Sequence, residues 1–206
     1  MWNKLCPEKL CGDRSAMGDV LIGLLCCCIL GPVSAGEDMP DFPEQEGNAE
    51  WRFEMEGHQH LLQRVAESGG IPAPFTTDGC SGGLSAGWSY LVRMIPGAEA
   101  VHGGMPPWES CCVAHDRLYH TGGAGQATAI DSYQVRAATD LALRSCVMAT
   151  GVRRTELLGR EYGLSPAQVI SLYETIAAIM YRAVRIGGVP CSGLPWRWGY
   201  GWPPCD

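Results

Sequence analysis

The spacing of apolar residues along the chain predicts helices separated by glycine- and proline-rich turns. Residues 50–68 carry apolar side chains at helical spacing, with an interruption at Gly57 and an end at Gly69-Gly70. The same pattern predicts further helices over residues 88–94, 109–120, 127–148 and 166–186. Because no segment before the tail alternates apolar and polar residues convincingly, we expect an all-α, mainly helical protein.

Glycine, proline and capping residues mark the ends of these helices. The third follows Pro106-Pro107 and ends at Gly122-Gly123, and the fourth is expected to end near Gly151. The last begins at a capping box, in which Ser165 is the N-cap and Gln168 lies three residues later. These signals divide the carboxyl-terminal half of the chain into three helices.

The first 35 residues are predicted to be a signal peptide. Three basic residues precede an apolar run at positions 20–30, and Val33-Ser34-Ala35 supplies the small residues that a signal peptidase recognises. The run is too short to span a bilayer as a helix, so a retained amino-terminal anchor is the less favoured alternative. Residues 36–49 are acidic and contain prolines, which predicts a disordered leader before a folded domain over residues 50–206.

Cysteine content and charge indicate a secreted protein that does not bind nucleic acid. Five of the 11 cysteines lie in the predicted signal peptide, and the other six can form three disulfides. Eight acidic residues fall between Glu37 and Glu56, whereas the residues after Glu56 include 11 acidic residues and 11 arginines. Because no basic track is present, we expect no nucleic-acid partner. The six cysteines are Cys80, Cys111, Cys112, Cys146, Cys191 and Cys205.

Two histidines within the first predicted helix raise the question of a metal site. His58 and His60 are two positions apart, and residues at that spacing point in different directions on a helix. We therefore expect both histidines to be exposed and neither to bind a metal.

The ten residues CCVAHDRLYH combine disulfide anchors with an acid–base pair. At 3.6 residues per turn, Cys111, His115 and Tyr119 share one stripe of the predicted helix. Cys112 and Asp116 form a second stripe beside it. Adjacent cysteines rarely bond to each other, so the two cysteines are expected to have separate partners.

The next helix supplies a carboxylate for the histidine. If the two helices run antiparallel, Cys111 near the start of one can meet Cys146 near the end of the other. His115 then lies about 6 Å beyond Cys111, and Asp140 lies about 9 Å before Cys146. The remaining offset is within reach of the two side chains, so Asp140 can hydrogen-bond His115 and hold its tautomer, as a carboxylate does for a general base.

This pattern resembles the signature of the secreted phospholipases A2, which is a cysteine pair, two spacers, His-Asp, two spacers and a tyrosine. The resemblance covers residues 79–146, and the spacing of Asp140 and Cys146 also matches the family. Leu118 and Thr139 stand where the family commonly has two bonded cysteines, so one disulfide is missing on both of its sides. The resemblance implies a disulfide-linked antiparallel helix pair.

Residues 79–83, with the sequence GCSGG, are similar to the calcium loop of that family. The resemblance implies a Cys80–Cys112 disulfide and a bound Ca²⁺, a hard cation that prefers oxygen ligands. The implied ligands are the Asp116 carboxylate and the carbonyls of Gly79, Ser81 and Gly83, with Asp78 as a possible addition.

The activity implied by the resemblance is calcium-dependent hydrolysis of the sn-2 ester of glycerophospholipids at a membrane or micelle surface. His115 would take a proton from water, Asp140 would orient His115, and Tyr119 would support Asp140 through a hydrogen bond.

Three alternatives to this activity remain: a disulfide-linked helix pair whose His-Asp pair is only polar surface, a zinc site, and an inactive scaffold. The zinc ligands would be Cys111, Cys112 and His115, which an even cysteine count in a secreted chain disfavours. The inactive scaffold would bind lipid or protein.

The carboxyl-terminal tail, residues 189–206, alternates aromatic residues with other residues. An extended chain would place them on one face, and Cys191 and Cys205 would join the ends of the segment. Such a face could enter a lipid headgroup region, or it could pack over the last long helix as part of the core, which we favour. The aromatic residues are Trp196, Trp198, Tyr200 and Trp202.

Overall fold

The computed structural model describes residues 49–80 and 84–205. Within this part of the chain the protein is mainly helical, contains no strand and has no helix long and apolar enough to cross a bilayer. The predicted signal peptide, residues 36–48 of the predicted leader, and residues 81–83 lie outside it. The helices are α1 (Ala49–Glu67), α2 (Leu84–Met94), α3 (Ala98–His102), α4 (Glu109–His120), α5 (Ala129–Tyr162) and α6 (Pro166–Gly187).

Helix α1 begins at Ala49, the last residue assigned to the leader, and runs through Gly57 without the predicted interruption. A Cβ atom at Gly57 would lie 2.6 Å from the carbonyl oxygen of Pro190. Glycine at this position therefore serves the close approach of the tail to α1, and does not break the helix.

Helix α5 extends to Tyr162, whereas the sequence predicted an end near Gly151. A Cβ atom at Gly151 would overlap the side chain of Tyr173 on α6. This glycine lets two helices pack closely, and the helix ends instead at Gly163, whose φ of 68° suits glycine. A glycine that serves packing looks like a helix stop in the sequence, which is why the prediction was wrong.

Helix α2 begins at Leu84, four residues before the predicted start, and α3 lies where no helix was predicted. Apart from the end of α5, the bounds of the other helices agree with the prediction to within two residues. Helix α4 has the predicted bounds, and α6 begins at the predicted capping box, in which Ser165 and Gln168 each accept a hydrogen bond from the other's backbone N–H. Helix α5 begins at a second capping box, formed by Thr128 and Asp131.

The predicted disulfide pairings are confirmed: Cys80–Cys112, Cys111–Cys146 and Cys191–Cys205 are bonded. Contacts between α4 and α5 run in opposite order along the two helices. Near the start of α4, Cys111 meets Cys146, and near its end Tyr119 contacts Arg136. The two helices are therefore antiparallel.

Two apolar clusters form the interior. The larger joins α5 to α6 and includes Val147, Val169 and Tyr173. The smaller contains Leu61 of α1, Tyr119 of α4 and two tryptophans of the tail, Trp198 and Trp202. Each cluster removes several large apolar side chains from water, which is the main force that holds the helices together.

The tail follows a series of turns and is not extended, so its four aromatic residues do not share one face. Trp198 and Trp202 are buried, whereas Trp196 is 38% exposed. The buried rings pack mainly against α1 and α4, and the predicted packing over the last helix was wrong in this respect. The alternation misled because Gly199, with a φ of 76°, turns the chain between the aromatic residues.

Candidate active site

Helix α4 directs the motif residues toward α5. His115 is 6% exposed, and its Nε2 lies 2.9 Å from Asp140 Oδ1. Because a carboxylate accepts hydrogen bonds and does not donate them, Nε2 carries the proton and Nδ1 is left as an acceptor. This is the tautomer that a histidine base needs if Nδ1 is to take a proton.

Tyr119 supports the same carboxylate oxygen. Its hydroxyl donates a hydrogen bond of 2.7 Å to Asp140 Oδ1, and its ring lies against the His115 ring with centroids 4.1 Å apart. Burial, together with the charge of Asp140, raises the pKa of Tyr119 well above its usual value of 10, although Arg136 opposes this effect. The hydroxyl therefore stays protonated and remains a donor.

The charge around His115 makes it more basic. Burial by itself lowers the pKa of His115, but the negative charges of Asp116 and Asp140 and the hydrogen bond to Asp140 outweigh burial and raise the pKa above 6.5. Asp116 Oδ1 lies 3.9 Å from His115 Nδ1, on the side of the ring away from Asp140. The imidazole thus lies between two carboxylates, both of which stabilise its protonated form.

Two arginines hold the other oxygen of Asp140. Arg185 Nη1 donates a hydrogen bond of 3.1 Å to Asp140 Oδ2, and Arg136 Nε lies 3.9 Å from the same atom. Arg136 also donates to the Tyr119 hydroxyl at 3.2 Å. Asp140, which is fully buried, is therefore compensated by hydrogen bonds and charge on both of its oxygens.

Glu54 of α1 balances the positive charge of the two arginines. It pairs with Arg136, and Arg185 Nη2 lies 3.3 Å from both of its carboxylate oxygens. Burial raises the pKa of Glu54, but the neighbouring His58 and the two arginines outweigh burial and lower the pKa below 4.5. Helices α1, α5 and α6 thus each contribute charges to one buried network behind His115.

The sequence did not single out Glu54, Arg136 or Arg185. Arg136 precedes Asp140 by four residues, so their spacing on one helix was an available signal. Glu54 and Arg185 lie on two other helices, and no local pattern links either residue to Asp140.

His58 is fully buried, so the prediction that it is exposed was wrong, whereas His60 is exposed as expected. The Nδ1 atom of His58 lies 2.8 Å from Ser132 Oγ, and its Nε2 lies 3.7 Å from Glu54. Ser132 also accepts a hydrogen bond of 3.0 Å from the Trp198 indole. His58 therefore links α1 to α5 and to the tail.

Oxygen atoms that could bind a cation gather around Asp116. The Thr77 hydroxyl donates to Asp116 Oδ2 at 2.5 Å and accepts the backbone N–H of Gly79 at 3.0 Å. Asp78 and Asp116 line one cavity of about 330 Å³. Because carboxylate, hydroxyl and carbonyl oxygens are the ligands that hard cations prefer, the residues present fit Ca²⁺.

The segment after Gly79 is held against the start of α4. Ser85 Oγ accepts the backbone N–H of Cys80 at 2.9 Å and donates to Glu109 Oε2 at 2.7 Å. Gly79 has a φ of 79°, and a Cβ atom there would overlap the Glu109 carboxylate. Together with the Cys80–Cys112 disulfide, these contacts place Gly79 near Asp116, as the resemblance implies; the other implied ligands, Ser81 and Gly83, lie outside the described residues.

Over residues 49–80 and 84–205, no group of three or more His, Cys, Asp or Glu side chains that could hold a metal is present. The cysteines proposed as zinc ligands are disulfide-bonded, which removes the thiolates that a zinc site needs. A calcium site built from one carboxylate and backbone carbonyls does not require such a group.

Comparison of the chain with protein-family models, with curated proteins and with solved structures gave no match.

Proposed function

We propose that this protein is a secreted, calcium-dependent esterase of the phospholipase A2 type, which hydrolyses the sn-2 ester of glycerophospholipids. The observation that carries the proposal is the hydrogen bond between His115 and Asp140, with Asp116 on the other side of the imidazole. The three disulfides and the predicted signal peptide support secretion.

In this mechanism His115 Nδ1 takes a proton from a water molecule while the water oxygen attacks the ester carbonyl. Asp140 accepts the Nε2 hydrogen bond throughout and stabilises the imidazolium that forms. Tyr119 and Arg185 keep the Asp140 carboxylate in position, one on each oxygen. The imidazolium then gives its proton to the departing alkoxide, which leaves a lysophospholipid and a fatty acid.

Asp116 and the Gly79 carbonyl would hold Ca²⁺, with Ser81 and Gly83 as further ligands implied by the resemblance and Asp78 beside them. A bound Ca²⁺ supplies positive charge that stabilises the developing oxyanion and attracts the phosphate of the lipid. The substrate would be reached at a membrane or micelle surface.

One observation favours the alternative of a non-catalytic lipid- or protein-binding module. The Thr77 hydroxyl already occupies Asp116 Oδ2, so a bidentate carboxylate would require Thr77 to turn away. In the active enzyme, calcium binding would therefore displace or share this hydrogen bond.

Hydrolysis of phospholipid vesicles with and without calcium separates the two functions. We expect the wild type to hydrolyse vesicles only with calcium, and His115→Ala to lose on the order of 10²–10⁴-fold in rate, since it lacks the general base. His60→Ala is the matched control, because this histidine is exposed on α1. Negligible turnover of the wild type in both conditions would exclude the esterase and favour the binding module.

A further inference from the structure

The cavity beside Asp116 combines acidic and aromatic side chains. Asp78 and Asp116 line it together with Trp196 and Tyr200 from the carboxyl-terminal tail. The tail lies outside residues 79–146, so the resemblance assigns no role to these two rings. No basic residue is present among the described residues that line the cavity.

We propose that this cavity binds the quaternary ammonium group of a phosphocholine headgroup, with the rings of Trp196 and Tyr200 as its aromatic wall. The inference rests on the proposed function, because the phosphate of the same lipid would lie beside Asp116. The preferred substrate is then a phosphatidylcholine, and the two aromatic residues determine headgroup specificity.

The chemistry of a quaternary ammonium group matches this lining. Such a group has no N–H to donate, so a protein recognises it through aromatic ring faces and through nearby negative charge. Trp and Tyr are favourable rings for this contact, and Asp78, which a calcium site built on Asp116 does not require, borders the same cavity. A volume of about 330 Å³ gives room for a trimethylammonium group and the atoms that join it to the phosphate.

The tail presents the two rings on a fixed backbone. The neighbouring residues Trp198 and Trp202 are buried in the smaller apolar cluster. The Tyr200 hydroxyl donates a hydrogen bond of 2.7 Å to the carbonyl oxygen of Thr76, which ties the tail to the segment before Asp78. Because the Trp196 and Tyr200 side chains are already ordered, they lose little conformational entropy when a ligand binds.

Charges around the cavity favour a cation. Asp78 borders the cavity, and none of the described residues that line it is basic. The Arg117 guanidinium stacks over the Phe75 ring at 4.6 Å, and Arg197 donates to the carbonyl oxygen of Trp202. Both arginines near this segment are thus held by other groups.

Soluble headgroups test the cavity without catalysis. Choline, phosphocholine and glycerol 3-phosphate are titrated into the ¹⁵N-labelled protein with calcium, and the Trp196 indole N–H signal is followed by NMR. We expect choline and phosphocholine to shift this signal, and phosphocholine to bind more tightly than glycerol 3-phosphate. Trp196→Leu and Tyr200→Leu, with binding followed on the remaining signals, should weaken phosphocholine binding about five- to tenfold.

Two further variants serve as controls. Tyr200→Phe retains a ring and should bind phosphocholine more tightly than Tyr200→Leu. Phe53→Leu removes an exposed aromatic ring on α1 and should leave phosphocholine binding unchanged. Equal affinity for phosphocholine and glycerol 3-phosphate, or the same affinity in all variants, would overturn the proposal.

Vesicle hydrolysis separates this inference from the proposed function. We expect phosphatidylcholine vesicles to be hydrolysed faster than phosphatidylglycerol vesicles, and Trp196→Leu to reduce that ratio. Hydrolysis of both lipids at a ratio that the variant does not change would overturn the headgroup proposal and leave the esterase intact. Phosphocholine binding at Trp196 without hydrolysis of either lipid would exclude the esterase and support the cavity as a headgroup site.

Discussion

Arg185 donates a hydrogen bond to Asp140 Oδ2, the oxygen opposite the one that His115 and Tyr119 contact. The two residues are 45 positions apart and belong to α6 and α5. The contact fixes the carboxylate in its plane and supplies positive charge to a fully buried anion. Burial lowers the pKa of Arg185, but Glu54 and Asp140 outweigh burial and raise it, so the guanidinium remains charged.

Arg185→Met should destabilise the protein, because Asp140 and Glu54 would each lose a buried cationic partner. We expect the free energy of unfolding to fall by about 3–5 kcal/mol, measured by urea denaturation. Arg182→Met is the matched control on the same helix, since Arg182 is exposed, and should cost less than about 0.5 kcal/mol. Equal losses in the two variants would show that the Arg185–Asp140 contact contributes little.

Gly151→Ala should destabilise the α5–α6 contact, although alanine favours a helix. The added methyl group would overlap Tyr173, and overpacking of a core typically costs about 1–3 kcal/mol. Gly87→Ala is the control, because Gly87 lies in α2 with open space at its Cβ position and should gain up to about 1 kcal/mol. Thermal unfolding of the two variants should therefore shift in opposite directions; a stabilised Gly151→Ala variant would contradict the packing argument.

Trp198→Ala should cost far more than Trp196→Ala. Trp198 is 1% exposed, packs against Tyr119 and donates to Ser132, so its truncation should lower the free energy of unfolding by about 3–5 kcal/mol. Trp196 is partly exposed, and its loss should leave the stability within about 1 kcal/mol of the wild type. Similar costs for the two substitutions in guanidinium denaturation would contradict the division of the tail into a buried part and a cavity-lining part.

Protonation of His58 should lower the stability of the protein in mild acid, whereas the raised pKa of His115 acts in the opposite direction as the pH falls toward 6.5. Burial lowers the pKa of His58 below 6.5, the charges of Arg136 and Arg185 add to this effect, and Glu54 opposes it. The Tyr133 ring also packs against His58, with the two ring planes nearly perpendicular. The unfolded chain therefore binds a proton near pH 6.5 that the folded protein does not, so the free energy of unfolding falls as the pH decreases below about 6.5.

Denaturation midpoints between pH 7 and pH 5 measure this dependence. His58→Gln removes the titrating group and keeps an amide that can reach Ser132, so its stability should vary less with pH over this range. His60→Gln is the control and should follow the wild type, because His60 is exposed. A pH dependence in His58→Gln as steep as that of the wild type would assign the acid sensitivity to other groups.

The sequence was most informative where chemistry depends on spacing within one or two helices. The bounds of α4, the approach of His115 to Asp140 and the three disulfide pairings follow from helical periodicity, cysteine content and the resemblance. Gly151 was misinterpreted because a glycine that ends a helix and a glycine that permits close packing look alike in a single sequence. Which one it is depends on Tyr173, which lies on a different helix.

Buried charges were the least predictable feature. From the sequence, Glu54 and Arg185 look like ordinary surface residues of amphipathic helices, because most charged side chains are exposed. Both side chains are buried because α1, α5 and α6 pack together behind Asp140. No pattern within a single helix predicts that packing. His58 was misjudged for the same reason, because its hydrogen-bond partner Ser132 is 74 positions away in the sequence.

The pairing of Glu54 with Arg185 also has a consequence for how the protein is synthesised. The two residues are 131 positions apart, so α1 leaves the ribosome long before α6. Until α6 emerges, a nascent chain contains the complete motif but lacks one of the arginines that hold Asp140. The buried network behind His115 is therefore completed only after α6 has been synthesised, and a chain that terminates before α6 would retain the motif without Arg185.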